Sequence, residues 1–136
     1  PFEIIQSEDR LVILYEASSG VREIFMDGRP LPTLGEPIPT WYGYSVGHWE
    51  GDSLIVTTNN FRGDGWVDFN GSPSTEQLVI TERFNRISYG RLELDITIDD
   101  PGAYTEAFDL RADFTIMPGD SLIEWVCESE DSTQYF

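Results

Sequence analysis

The sequence has no lysine: all eight of its cations are arginines, set against 25 Asp and Glu for a formal net charge of −17. A surface of that sign repels phosphate backbones and anionic headgroups, and no arginine cluster offsets the repulsion, which excludes nucleic acid and membrane surfaces as partners. There is a single cysteine, Cys127, so no intrachain disulfide can form and zinc sites built on Cys pairs are ruled out. There is a single histidine, His48. No apolar run approaches the ~18 residues of a membrane-spanning helix, so no membrane insertion is expected. No P-loop, dinucleotide fingerprint or metal-protease motif occurs, and no cofactor is expected.

Helical periodicity is missing too, and in its place the chain repeats a period of two. In "GRLELDITIDD" Leu92, Leu94, Ile96 and Ile98 alternate with Glu93, Asp95, Thr97 and Asp99, as a strand with one buried and one wet face requires. "QLVITERF" and "DLRADFTIM" alternate in the same way. "FEIIQ", "RLVILYE", "VREIFMD" and "SLIVTT" are short, β-branched and aromatic. In "IEWVCESE" the alternation puts Cys127 on one strand face with Ile123 and Trp125, as a small buried hydrophobe.

Turn residues separate these segments at Asp27-Gly28, Gly51-Asp52, Asn70-Gly71, Tyr89-Gly90 and Pro118-Gly119-Asp120. Residues 28–40, with their prolines, and 59–75, rich in Gly, Asn and Asp, read as long loops. The pattern predicts an all-β domain over 1–136, an antiparallel meander closing into a lipocalin-like β-barrel, with a two-sheet β-sandwich as the alternative. A start at Pro1 in place of Met leads to the expectation of a mature form or C-terminal part of a longer precursor.

Few side chains in this pattern offer chemistry. In "WYGYSVGHWE" the even positions Tyr42, Tyr44, Val46 and His48 share one face, and Trp41, Ser45 and Trp49 share the other. With the even face inward, two phenols and an imidazole look into a cavity; with it outward, Trp41 and Trp49 fill the core. Glu82 falls on the face of Leu78, Ile80 and Phe84, so it is either a general acid or base, with His48 as its counterpart, or an ion-pair partner of an arginine such as Arg91 or Arg111. Trp66 is a further candidate for ligand contact. Asp64 and Asp68 are weak candidates for calcium, since Trp66 and Phe69 interrupt the spacing that an EF-hand loop needs.

The segments "SVGHWEGDSLIV", "TERF", "LELDITIDDPGAYTEAF" and "EWVCESE" resemble an uncharacterised family of predicted exported bacterial β-rich proteins that share GxWEGD and TIDDPxAYT motifs. The resemblance implies export, to an extracellular or periplasmic location, and β-structure. It also carries departures: the family usually has His at Tyr44, Arg at His48 and a His-Ser pair at Ser74-Thr75, so any site built on those histidines is missing here. The resulting expectation is an exported acidic β-barrel that binds a small apolar or aromatic molecule. The alternatives are a barrel enzyme for isomerisation, dehydration or cyclisation, and a structural or filament subunit assembling by donation of its terminal strands.

Overall fold

A computed structural model describes residues 1–123. The expected strand over Trp125 and Cys127 lies outside the described residues. Eight strands follow one another: β1 (Phe2–Gln6), β2 (Arg10–Tyr15), β3 (Gly20–Phe25), β4 (Tyr44–Glu50), β5 (Ser53–Asn59), β6 (Val79–Ser88), β7 (Arg91–Asp99) and β8 (Phe108–Thr115). They form one sheet in chain order, curled into an open half-barrel. The only helical element among the described residues is a 3-10 turn at Ala17–Ser19.

The hairpins sit where the turn chemistry puts them. Gly51, at φ +60, supplies the left-handed residue of the β4–β5 turn, and β4 pairs β5 with Glu50 opposite Ser53. One junction departs from the antiparallel pattern: β3 and β4 run parallel, with Ile24 opposite Ser45. The proline-bearing segment between them is the reason. Too extended to reverse in a hairpin, it crosses the end of the sheet and returns the chain in the same direction.

Alternation carries through the ladder and defines a concave face. Leu11, Ile13, Ile24, Leu54, Val56, Phe84 and Leu94 are buried there as one cluster. β4 contributes only Ser45 and Gly47 to the middle of this face, and a Cβ on Gly47 would lie 2.7 Å from Met26 Sδ. Trp41 and Trp49 are each more than half exposed, so they do not fill the core as one reading of the sequence had it. The edge strands β1 and β8 share no hydrogen-bonded ladder among the described residues. They meet through side chains instead: the rings of Phe2 and Phe114 pack edge to face at 4.9 Å.

Candidate functional site

Glu82 is buried on the concave face, opposite Val56, and its partner is Arg22 of β3. The guanidinium spans the width of two strands to reach it. Small residues floor this lane: Arg22 Nε donates to Ser45 Oγ (3.1 Å), Nη2 to Thr58 Oγ1 (2.7 Å) and to Glu82 Oε2, and Nη1 to Glu82 Oε1 (3.0 Å). Burial works against the Arg22 charge, and the Glu82 carboxylate outweighs it, holding the guanidinium above its ordinary pKa. Burial also raises the phenol of Tyr15 nearby, with Arg22 pulling the other way.

The expected partners Arg91 and Arg111 are on the opposite, convex face, where they bond Asp113 (3.0 Å) and Asp95 (2.6 Å). Strand parity forbids their reaching Glu82.

His48 is on the convex face as well, opposite Ile55, and its Nε2 lies 3.3 Å from Glu50 Oε1. Glu50 also accepts from Arg83 (2.6 Å), and Arg83 first, then His48, hold its carboxyl below the usual range. His48 and Glu82 therefore face opposite sides of one sheet, and a single small substrate does not touch both.

Tyr42 and Tyr44 are separated too. Gly43, at φ +66, breaks the alternation between them. Tyr42 stacks on Tyr15 of the concave face, centroids 5.7 Å apart, with its hydroxyl where a Cβ of Gly20 would be. Tyr44 stacks on Phe25 at 5.0 Å and accepts from Arg29 Nη1 (3.1 Å), while the Arg29 guanidinium lies 3.9 Å from the Phe25 ring centre.

The remaining candidates gather at the loop end of the sheet. Asn60, buried and at φ +56, pins the proline loop by accepting from Gly35 N–H (2.8 Å) and donating to Pro37 O (3.3 Å). Asp100, also buried, ties the second loop down: it accepts Thr75 N–H (2.6 Å), the Thr75 hydroxyl (2.5 Å) and Gly102 N–H (3.1 Å). Tyr104 adds a bond from its hydroxyl to Pro73 O (2.8 Å). The run "TIDDPGAYT" is thus a clamp holding residues 73–75 against the β7–β8 connection.

Between the two clamped loops lies an open groove of about 730 Å³, lined by Ile38, Pro39, Arg62, Gly63, Asp64, Thr75, Glu76 and Gln77. Arg62 is held between the Trp41 ring, 4.3 Å from its centre, and Asp64 (2.8 Å). Glu76 has no partner among the described residues, so it is the uncompensated charge of the groove. Ile38, Trp41, Trp66 and Phe69 are exposed on the same two loops.

Asp68 serves the loop itself, accepting from Asn70 N–H and from the N–H and hydroxyl of Ser72. The bonds from Ser72 first, then those from Asn70, hold its carboxyl below the usual range. No group of three His, Cys, Asp or Glu among the described residues could hold a metal ion. No helix among the described residues is long and apolar enough to cross a membrane.

The sequence reading missed this groove. Its signal was the coincidence of exposed-type aromatics with Gly, Asn and Pro in two successive long loops, which only the clamps bring together. Comparison with protein-family models, curated proteins and solved structures finds no match for the chain.

Proposed function

We propose that the chain is an exported acidic β-barrel-like protein that binds a small apolar or aromatic ligand, and that the ligand lies in the loop-end groove, not on the concave face of the sheet. The observation that carries this reading is the groove itself, walled by two loops tied down by hydrogen bonds to Asn60 and Asp100, with Ile38 and the Trp41–Arg62 stack beside it. The concave face is occupied by hydrophobic side chains and by a fully engaged Arg22–Glu82 pair, which supports placing the ligand outside it. Export rests on the family resemblance.

The charge distribution favours a ligand that carries an amine. The net charge of −17 raises the local concentration of cations, and Glu76 is the free charge of the groove wall. Tyramine, titrated against the protein and followed by amide chemical shifts, is expected to bind with a Kd of roughly 0.1–1 mM, a usual strength for a ligand of about ten heavy atoms. The shifts are expected at residues 38–41, 62–66 and 75–77. Glu76→Gln should weaken tyramine about two- to fivefold and leave uncharged 4-ethylphenol unchanged, the range for an exposed charge pair. Shifts confined to the concave face, or none with either compound, would sink the groove assignment.

A second reading, assembly by strand addition, is favoured by the two sheet edges, which carry no further strand among the described residues, and by the exposure of Ile4 and Ile5 on β1. Self-repulsion of so acidic a chain opposes it.

A further inference from the structure

The tip of the second loop leaves one backbone nitrogen ready for chemistry. Asp68 Oδ1 accepts the N–H groups of Asn70 (2.9 Å) and Ser72 (3.1 Å), and Oδ2 accepts the Ser72 hydroxyl (2.8 Å). Gly71, between them, is passed over: its N–H has no acceptor among the described residues. Gly71 is at φ +86, with no atom within 4 Å of the place a Cβ would take. Asn70 and Gly71 are exposed, and Phe69 beside them is wholly so.

From this geometry we infer that Asn70-Gly71 is a self-modification site, at which the folded chain cyclises to a succinimide and opens to aspartate and isoaspartate. The Gly71 nitrogen attacks Cγ of Asn70, one chain position away. The new N–Cγ bond forms as the Cγ–Nδ2 bond breaks, and the amide leaves as ammonia with the proton that Gly71 gives up. Water then opens the five-membered ring at either carbonyl, leaving Asp at 70 or a β-linked isoaspartyl residue. No oxidant or cofactor enters. The absent side chain at 71 keeps the approach unhindered. Because no described residue accepts the Gly71 N–H, the attack breaks no hydrogen bond among the described residues.

The other asparagines lack these features. Asn59 and Asn60 are buried, and each is followed by a residue with a side chain; Asn85 lies within β6 and precedes Arg86. They serve as internal references. The product adds a carboxylate beside Asp68 and, in the isoaspartyl form, an extra backbone carbon inside the turn closed by Val67 N–H to Ser72 O (2.9 Å) and by the Trp66–Pro73 bridge.

The test is incubation of the full folded chain at 37 °C and pH 8, followed by peptide mass analysis and enzymatic methylation of isoaspartate. The peptide bearing Asn70 should be modified at least about tenfold faster than those bearing Asn59, Asn60 or Asn85, a barrier difference of about 1.4 kcal/mol. Asn70→Gln should remove the isoaspartate signal with the far-UV spectrum unchanged. A parallel incubation in urea fixes the intrinsic rate of the unfolded chain. Modification of Asn70 no faster than of Asn85 overturns the inference. A folded-state rate more than about tenfold below the rate in urea also overturns it, since the turn would then be protecting Asn70 by about 1.4 kcal/mol.

Discussion

Glu82→Gln is expected to destabilise the protein by about 3 to 5 kcal/mol, the range for removing one partner of a buried ion pair. The glutamine amide offers Arg22 an oxygen but no charge, and the guanidinium stays on the concave face beside the hydroxyls of Ser45, Thr58 and Tyr15 with no counter-ion. Removing both charges should behave differently. Arg22→Met combined with Glu82→Leu leaves no stranded ion and should be neutral or stabilising by up to about 4 kcal/mol, because neither group then has to be desolvated. Urea denaturation of the two single variants and the double variant at pH 7 measures the coupling directly. A Glu82→Gln loss below about 1 kcal/mol would mean that water reaches Arg22 from the open side of the half-barrel.

Leu94→Ala should cost about 2 to 5 kcal/mol, the range for a buried leucine whose cavity does not collapse. Leu94 is almost fully buried in the middle of β7, between Phe84 on one strand and Ala112 on the other. Laddered backbone on both sides keeps the walls from closing in. Leu110 is the control. It shares the concave face but is 47% exposed on the edge strand β8, so Leu110→Ala should cost less than about 1 kcal/mol, in proportion to the area it buries. Equal losses at the two positions would mean that the edge of the sheet is covered in solution.

Strands were the legible part of this chain because each carries its own signal. Alternation in "GRLELDITIDD" names both the strand and its buried face, and Gly51-Asp52 names the β4–β5 hairpin. The parallel β3–β4 junction was not legible, since it depends on where a long loop lands and no local period records that. The Glu82 pairing was half legible. The parity of β6 put Glu82 inward, and the same rule applied to "VREIF" puts Arg22 inward with Ile24, although Val21 invites the opposite choice. Arg91 and Arg111 lie nearer in sequence, but alternation had already assigned them to the other face. The His48–Glu82 pairing failed on parity as well. Gly43 is why Tyr42 and Tyr44 parted, a backbone effect that a two-residue period cannot express.

The crossover between β3 and β4 also divides the molecule in time. Within β4–β8 every ladder joins consecutive strands, and closing the one long loop there, 60–78, is offset by the six-pair β5–β6 ladder and by the Asp100 clamp, so this half should assemble early. The hairpins of β1–β3 join it only after the 26–43 segment closes, an entropic step followed by a parallel ladder of only two residue pairs. Arg22 and Glu82 come from opposite sides of that division, as do Phe2 and Phe114. In hydrogen exchange, amides of β5–β7 should therefore be the last to open and those of β1 among the first. The buried ion pair acts as a latch between two folding units, and the aromatic seam is where the sheet unzips.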